Sequence, residues 1–284
     1  MPGASPGAAA MSETVHTAAA GPVAVRPDGT ALVCQVSGPA TAPPLLLLPG
    51  QANSHRWWDG VRPGLDRNFR TITFDYRGTG NTRADDTDAA AWTTRLFAAD
   101  AAAVLDALGY PSAHVYATSM GGRVAQWLAA RHPERVQRLV LACTSPGGSL
   151  ARERGPEIRR LLADPDPRGR HTVLLELMYT PAWLAAPPRR STLLGDPRMS
   201  ARAARGHLRA SNRHDASAVL GEIRAQTLVL HGSEDQMVPT RNAELLAAAV
   251  PDAAVEIFPG GRHGFFDEFP AVGDRVTEFL LVGS

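Results

Sequence analysis

Short, continuously apolar runs alternate along this chain with longer stretches whose apolar residues recur at three- and four-residue intervals, a pattern of strands interleaved with helices. Residues 45–48 are four leucines closed in by Pro43-Pro44 and Pro49-Gly50, which predicts a strand buried on both faces. Residues 70–74, 113–117, 137–142, 227–230 and 254–258 predict further strands. Helices are expected near residues 57–65, over 91–108, after Ser119, over 242–250 and over 269–281. In the helix over 91–108, Leu96, Val104, Leu105 and Leu108 share one side, and Gly109 and Pro111 stop it. At the start, residues 21–25 and 31–37 flank Arg26-Pro27-Asp28-Gly29-Thr30, a hairpin turn signal. The alternation implies an α/β fold: a mostly parallel twisted sheet, right-handed crossovers and helices on both faces.

Between residues 146 and 220 the rhythm changes. Strand-like runs disappear, and Ile158, Leu161 and Leu162, then Val173, Leu174, Leu177 and Met178, fall at helical intervals. Pro156, Pro165, Pro167, Pro181, Pro187, Pro188 and Pro197 cut this region into short helices. The expectation is an inserted helical cap over 146–220, with the core formed by 21–145 and 221–284. A structureless linker is the bland alternative, which Leu174, Leu175, Leu177, Met178, Tyr179 and Trp183 together oppose. Residues 1–20, rich in Ala, Gly, Pro and Ser, read as a disordered tail, with Met11 as an alternative start.

Composition narrows the function classes. The chain has 284 residues, 44% hydrophobic and 20% charged, which fits one elaborated globular domain. A formal net charge of +1 points to neither nucleic acid nor a membrane surface as partner. Every strong cation is an arginine, since the chain has no lysine. Cys34 and Cys143 are too few for a disulfide framework and match no metal spacing, so both are expected as buried free thiols. No stretch reaches the ~20 apolar residues of a membrane span. A cytoplasmic protein, with a homodimer left open, is the expectation.

The candidate chemistry starts at Val115-Tyr116-Ala117-Thr118-Ser119-Met120-Gly121-Gly122-Arg123. A strand, a sharp turn carrying a serine and then a helix would push Ser119 outward in a strained backbone. The small Ala117 and Gly121 meet the crowding two positions either side. The hydroxyl would then sit at a helix N-terminus, where N–H groups favour a developing oxyanion. An ordinary serine N-cap is the bland alternative. Serine needs a base, and that base an orienting acid. Of nine histidines, His263 stands out, in Pro259-Gly260-Gly261-Arg262-His263-Gly264 directly after the last strand. For the acid, Glu234 and Asp235 compete in the turn after the strand at 227–230.

These residues resemble the α/β-hydrolase family. Ala117-x-Ser119-x-Gly121 is similar to its nucleophile elbow G-x-S-x-G, with alanine for the first glycine. Asp75-Tyr76-Arg77-Gly78-Thr79-Gly80 resembles its D-x-R-G-x-G turn, read as scaffolding. Arg262-His263-Gly264-Phe265-Phe266 resembles the segment around its catalytic histidine. The resemblance implies a Ser119, Asp235, His263 triad in the family's chain order. It implies an oxyanion hole from the N–H groups of Met120 and of Gln51, in Pro49-Gly50-Gln51, where many relatives carry His-Gly. No metal or organic cofactor is implied, and serine in place of aspartate argues against haloalkane dehalogenase and epoxide hydrolase chemistry.

The activity implied is hydrolysis of a small carboxylic ester, lactone or thioester. Residues 139–148 are similar to enol-lactonase-like members. C–C bond hydrolysis, perhydrolysis and acyl transfer would use the same residues, and a non-catalytic ligand-binding protein is the rival from another class. Met178, Tyr179, Trp183, His207 and His214 are the cap residues to weigh for substrate contact, against plain packing or exposed surface for each.

Overall fold

The computed structural model describes residues 21–186 and 191–282. The tail at 1–20, Met11, Pro187 and Pro188 lie outside the described residues.

Eight strands form one sheet. They are β1 (Val23–Val25), β2 (Ala31–Ser37), β3 (Pro44–Leu48), β4 (Arg70–Phe74), β5 (Ala113–Thr118), β6 (Val136–Ala142), β7 (Gln226–Gly232) and β8 (Ala253–Phe258). Their spatial order is β1-β2-β4-β3-β5-β6-β7-β8. β1 and β2 form the expected hairpin, β2 pairs antiparallel with β4, and the remaining strands run parallel. Chain order reverses at β3, which has β4 on one side and β5 on the other. The crevice outside the carboxyl ends of β3 and β5 is therefore where such a sheet receives a ligand.

Alternate strand residues feed two cores, as the pleat requires. Leu46, Leu48, Ile72, Phe74, Val115, Ala117, Leu139, Leu141 and Val229 face one side. There they meet α2 (Thr94–Ala107), α3 (Met120–Arg131) and, further along the chain, the helix at Arg241–Ala249. Leu45, Leu47, Tyr116, Val140, Leu228 and Leu230 face the other side, against Trp57, Trp58, Leu65, Phe265, Val276 and Leu280. Cys34 and Cys143 are buried and unbridged.

Local sequence explains where the helices depart from expectation. The helix expected near 57–65 is a 3-10 turn at His55–Trp58 and a single turn, α1 (Arg62–Leu65), because Gly60 disfavours helix between them and Pro63, in the first turn of α1, lacks the N–H that a continuous helix would use. α2 begins at Thr94 rather than 91, since the Thr93 hydroxyl accepts from Leu96 N–H and caps it there.

Between β6 and β7 the chain inserts α4 (Pro156–Leu162), α5 (Pro167–Met178), α6 (Pro181–Ala185) and α7 (Ala201–Asn212). Proline stands at the first turn of α4, α5 and α6, and Asp166, Thr180 and Ser200 cap α5, α6 and α7. After β7 come α8 (Arg241–Ala249), α9 (Phe265–Glu268) and α10 (Pro270–Leu281). The last helix was expected from 269; Pro270 instead starts α10 and closes α9 before it. Among the described residues no helix is long and apolar enough to cross a membrane.

Candidate active site

Ser119 joins β5 to α3 with φ of 53° and ψ of −121°, a left-handed conformation that a side-chain-bearing residue adopts only when its surroundings enforce it. Several contacts enforce it here. Ser119 N–H donates to the Ala142 carbonyl at 3.0 Å, and the Thr144 hydroxyl donates to the Ser119 carbonyl at 2.7 Å. Trp57 Nε1 donates to Thr118 Oγ1 at 2.8 Å. Gly121 lies so close to β3 that a Cβ there would collide with the Leu48 carbonyl oxygen. The turn is thus welded to the strands on either side of β5.

The three residues expected to meet are brought together. Ser119 Oγ lies 3.0 Å from His263 Nε2, and His263 Nδ1 lies 2.7 Å from Asp235 Oδ2. Ser119 is partly exposed, while His263 and Asp235 are buried. Glu234, the competing carboxylate, points elsewhere, with Oε2 3.9 Å from Arg262 Nε. Burial would raise the Asp235 carboxyl, but His263 and His231 beside it hold it well below the usual carboxylate range. Asp235 Oδ1 also accepts from Val238 N–H at 2.9 Å.

His231, at the end of β7, had no signal in the sequence beyond being one histidine among nine. It is fully buried, with Nε2 2.8 Å from the Val238 carbonyl and 3.2 Å from Asp235 Oδ2. A carbonyl only accepts, so Nε2 carries the hydrogen and shares it between the two oxygens. His231→Leu is expected to lower kcat about tenfold, one charge-assisted hydrogen bond's share of the barrier, with KM little changed. His231→Gln, which keeps a donor, is expected to recover much of that loss. Steady-state kinetics on the two variants checks it.

Gln51 and Met120 occupy the places expected of them, Gln51 in the loop after β3 and Met120 as the first residue of α3. The Gln51 loop is held from both sides. Asn53 Nδ2 donates to the Gln51 carbonyl at 2.8 Å, and the Asp75 carboxylate accepts from His55 N–H at 2.8 Å and Asn81 N–H at 2.9 Å. From the inserted helical region, Gly195 N–H donates to Asn53 Oδ1, Asp196 N–H donates to the Ala52 carbonyl, and His207 Nδ1 accepts from Ala52 N–H at 3.2 Å. Ala52 has φ of 57°, so these contacts fix a second unfavourable backbone.

The histidine loop is tied to the insertion as firmly. His263 N–H and Gly264 N–H donate to the Leu177 and Met178 carbonyls at 3.2 and 2.7 Å. Arg262 Nη1 donates to the Glu176 and Tyr179 carbonyls. These are the carbonyls that the end of α5 leaves without intrahelical partners.

Of the insertion residues weighed for substrate contact, Met178 and Tyr179 are buried beside this loop, and Tyr179 stacks on Trp183 at 3.7 Å between ring centroids. Tyr179 OH donates to Asp267. His207 and His214 are committed to structure instead. His207 is packed among Tyr76, Trp92 and Phe97, with Nε2 donating to the Arg77 carbonyl. His214 sits between Thr94 Oγ1 and Gln126 Oε1. Among the described residues no group of His, Cys, Asp and Glu is arranged to hold a metal ion.

Burial lowers His207 to about 4 from an ordinary 6.5, and lowers His114 likewise. The unfolded chain therefore takes up protons between about pH 6.5 and 4 that the fold excludes, so stability is present above 6.5 and lost as pH falls toward 4. His207 alone contributes about 3 kcal/mol of that loss. Urea midpoints at pH 7.5 and 5 are expected to differ, and His207→Gln to narrow the difference.

Comparison with known proteins bears on the fold that carries these residues. A family described as alpha/beta hydrolase fold matches residues 43–270. A relative from Variovorax paradoxus named "Putative carbamate hydrolase RutD" is 32% identical over 259 residues, 87% of this chain and 94% of the relative. The crystal structure of a hydrolase from Pseudomonas aeruginosa superposes with a TM-score of 0.76 at 29% identity, covering 92% of this chain and 98% of that one. That of an esterase from Rhodococcus sp. superposes with a TM-score of 0.76 at 26% identity, covering 91% and 97%.

Proposed function

Because the chain belongs to the α/β-hydrolase family, we propose that it is a serine hydrolase that cleaves a small carboxylic ester, lactone or thioester through an acyl-enzyme on Ser119. One observation carries the reading: the continuous Asp235–His263–Ser119 relay, at 2.7 and 3.0 Å, ending on a serine held in a left-handed turn.

His263 Nε2 takes the proton as Ser119 Oγ attacks the carbonyl carbon. Asp235 accepts from Nδ1–H, holds the tautomer that leaves Nε2 free, and stabilises the imidazolium that forms. Met120 begins α3, where N–H groups lack intrahelical acceptors; with Gln51 N–H it holds the oxyanion. His263 then protonates the leaving alcohol or thiol, and a water activated by the same nitrogen releases the acid. The helical insertion fixes the base from above, because the Leu177, Met178 and Tyr179 carbonyls hold the backbone and Arg262 of the histidine loop.

An ester agrees with the name of the Rhodococcus neighbour. Hydrolysis of a carbamate is the second reading, favoured by the name of the Variovorax relative. The relay serves both, because each presents a carbonyl carbon bearing a leaving group.

A fluorophosphonate probe tests the chemistry. Covalent labelling mapped by peptide mass spectrometry to Ser119 is expected, and absence of labelling overturns the proposal in favour of a binding protein. Turnover of a panel of esters, lactones, thioesters and carbamates then separates the two bond classes.

A further inference from the structure

The loop after β3 packs against the turn at Ser119, where a Cβ on Gly121 would collide with the carbonyl oxygens of both Leu48 and Pro49. Its next peptides are confined in turn. Gly50 lies so close to the Trp57 ring that a Cβ there would strike it. The peptide group joining Gln51 to Ala52 is held at both ends. Its carbonyl accepts from Asn53 Nδ2 at 2.8 Å, and its N–H donates to His207 Nδ1 at 3.2 Å. The Ala52 carbonyl accepts from Asp196 N–H at 2.7 Å. Ala52 would not take this path unaided, since its φ of 57° is unfavourable for a residue with a side chain.

Both side chains in this clamp are buried and braced from behind. His207 Nε2 lies 2.9 Å from the Arg77 carbonyl, which only accepts, so Nε2 carries the hydrogen and Nδ1 turns a lone pair to Ala52 N–H. α7 brings the ring in at a fixed depth, because a Cβ on Gly206 would meet Ala89 and Trp92. Asn53 Oδ1 accepts from Gly195 N–H at 2.9 Å while Nδ2 holds the Gln51 carbonyl. With Gly50 confined on one side and the next peptide group on the other, the N–H of Gln51 keeps one direction.

We propose that His207 and Asn53 are positioning residues for the oxyanion donor at Gln51, set from the helical insertion through the peptide group that follows it. The inference rests on the hydrolase reading, in which Gln51 N–H binds the oxyanion. His207 and Asn53 act through the backbone and leave the substrate untouched. Their effect therefore falls on the transition state, where the negative charge develops, and spares binding of the uncharged carbonyl.

His207→Phe keeps an aromatic ring among Tyr76, Trp92 and Phe97 and removes both hydrogen bonds. Asn53→Ala releases the other end of the peptide group. Each is expected to lower kcat by about ten- to a hundredfold with KM little changed, short of the full loss of an oxyanion donor. Both act on one peptide group, so the double variant is expected to lose little more than the weaker single one. His207→Gln, which offers an acceptor and a donor, is expected to recover part of the loss. Phenylboronic acid, whose tetrahedral adduct on Ser119 places an oxygen in the oxyanion hole, is expected to bind more weakly by the same factor as kcat. His214→Leu serves as the control. It removes a buried histidine just beyond α7 that bonds Thr94 and Gln126 instead of the loop, and is expected to lower the urea midpoint while kcat holds.

A fall in the urea midpoint with kcat and boronate affinity unchanged overturns the assignment, and so do losses that multiply in the double variant. Amide hydrogen exchange reads the clamp apart from the chemistry. Exchange at Ala52 N–H is expected to quicken about tenfold or more in His207→Phe, and an unchanged rate overturns the assignment even if Ser119 is labelled. A wild type that the fluorophosphonate leaves unlabelled overturns the hydrolase reading, and the oxyanion role with it, whatever the exchange rates.

Discussion

Replacing Ser119 by alanine is expected to lower kcat about a millionfold, leaving only what binding and the oxyanion donors contribute. The substitution removes the hydroxyl and nothing else in the turn, because the contacts that hold residue 119 use its backbone N–H and carbonyl. The urea midpoint of Ser119→Ala is therefore expected to match that of the wild type. Asp235→Asn makes the informative contrast. It keeps the shape of the relay, but an amide there favours the wrong imidazole tautomer, and a loss of about 10⁴ in kcat follows. Single-turnover kinetics on both variants distinguishes them. Residual turnover of Ser119→Ala within a hundredfold of the wild type would exclude the acyl-enzyme.

Replacing Arg77 by methionine is expected to destabilise the fold by about 3–5 kcal/mol, because it leaves a buried carboxylate without its main partner. Asp100 on α2 is fully buried, and Arg77 grips it with Nε and Nη2 at 2.7 and 2.8 Å. Arg26 adds one further bond at 2.9 Å, and Arg77 Nη1 reaches back to Asp28 and Thr30 in the first hairpin. One side chain thus ties together the hairpin, α2 and the turn after β4. The loss is a large part of the 5–15 kcal/mol that holds a typical domain together. Pairing it with Asp100→Leu is expected to recover most of the loss, since removing both charges removes the desolvation penalty too. Denaturant midpoints for the two single variants and the double measure this directly. A single-variant effect under 1 kcal/mol would show that water reaches Asp100.

The relay was legible because each of its residues sits in a short motif directly after an apolar run. Local sequence places all three at one edge of a parallel sheet, and no knowledge of distant contacts is needed. The turn at Asp75–Gly80 was legible as scaffolding for a similar reason, but the role of Arg77 across three elements was not. Helix limits were less legible, because single residues set them: Thr93 by capping α2, Pro270 by starting α10. His207 and His214 show what the sequence leaves open. A histidine on a helix of the insertion carries no mark of whether it faces ligand or core, and both turned inward to satisfy distant backbone or side-chain groups. His231 was silent too: its partners Asp235 and Val238 are only four and seven residues on, but the fold of the turn after β7 is what brings them to its ring.

The bonds from Leu177 and Met178 to residues 263 and 264, and from Asp196 and His207 to Ala52, bear on how a fold of this kind can be given a new specificity. Exchanging the whole insertion for that of a cousin would pull His263 and the loop beside Ser119 out of alignment, unless the donor sequence ends its helices at the same two places. Point changes on inward-facing side chains at and around residues 178–183 and 191–194 leave those anchors alone. New selectivity in this scaffold is therefore reached more readily by changing single side chains of the insertion than by exchanging it whole.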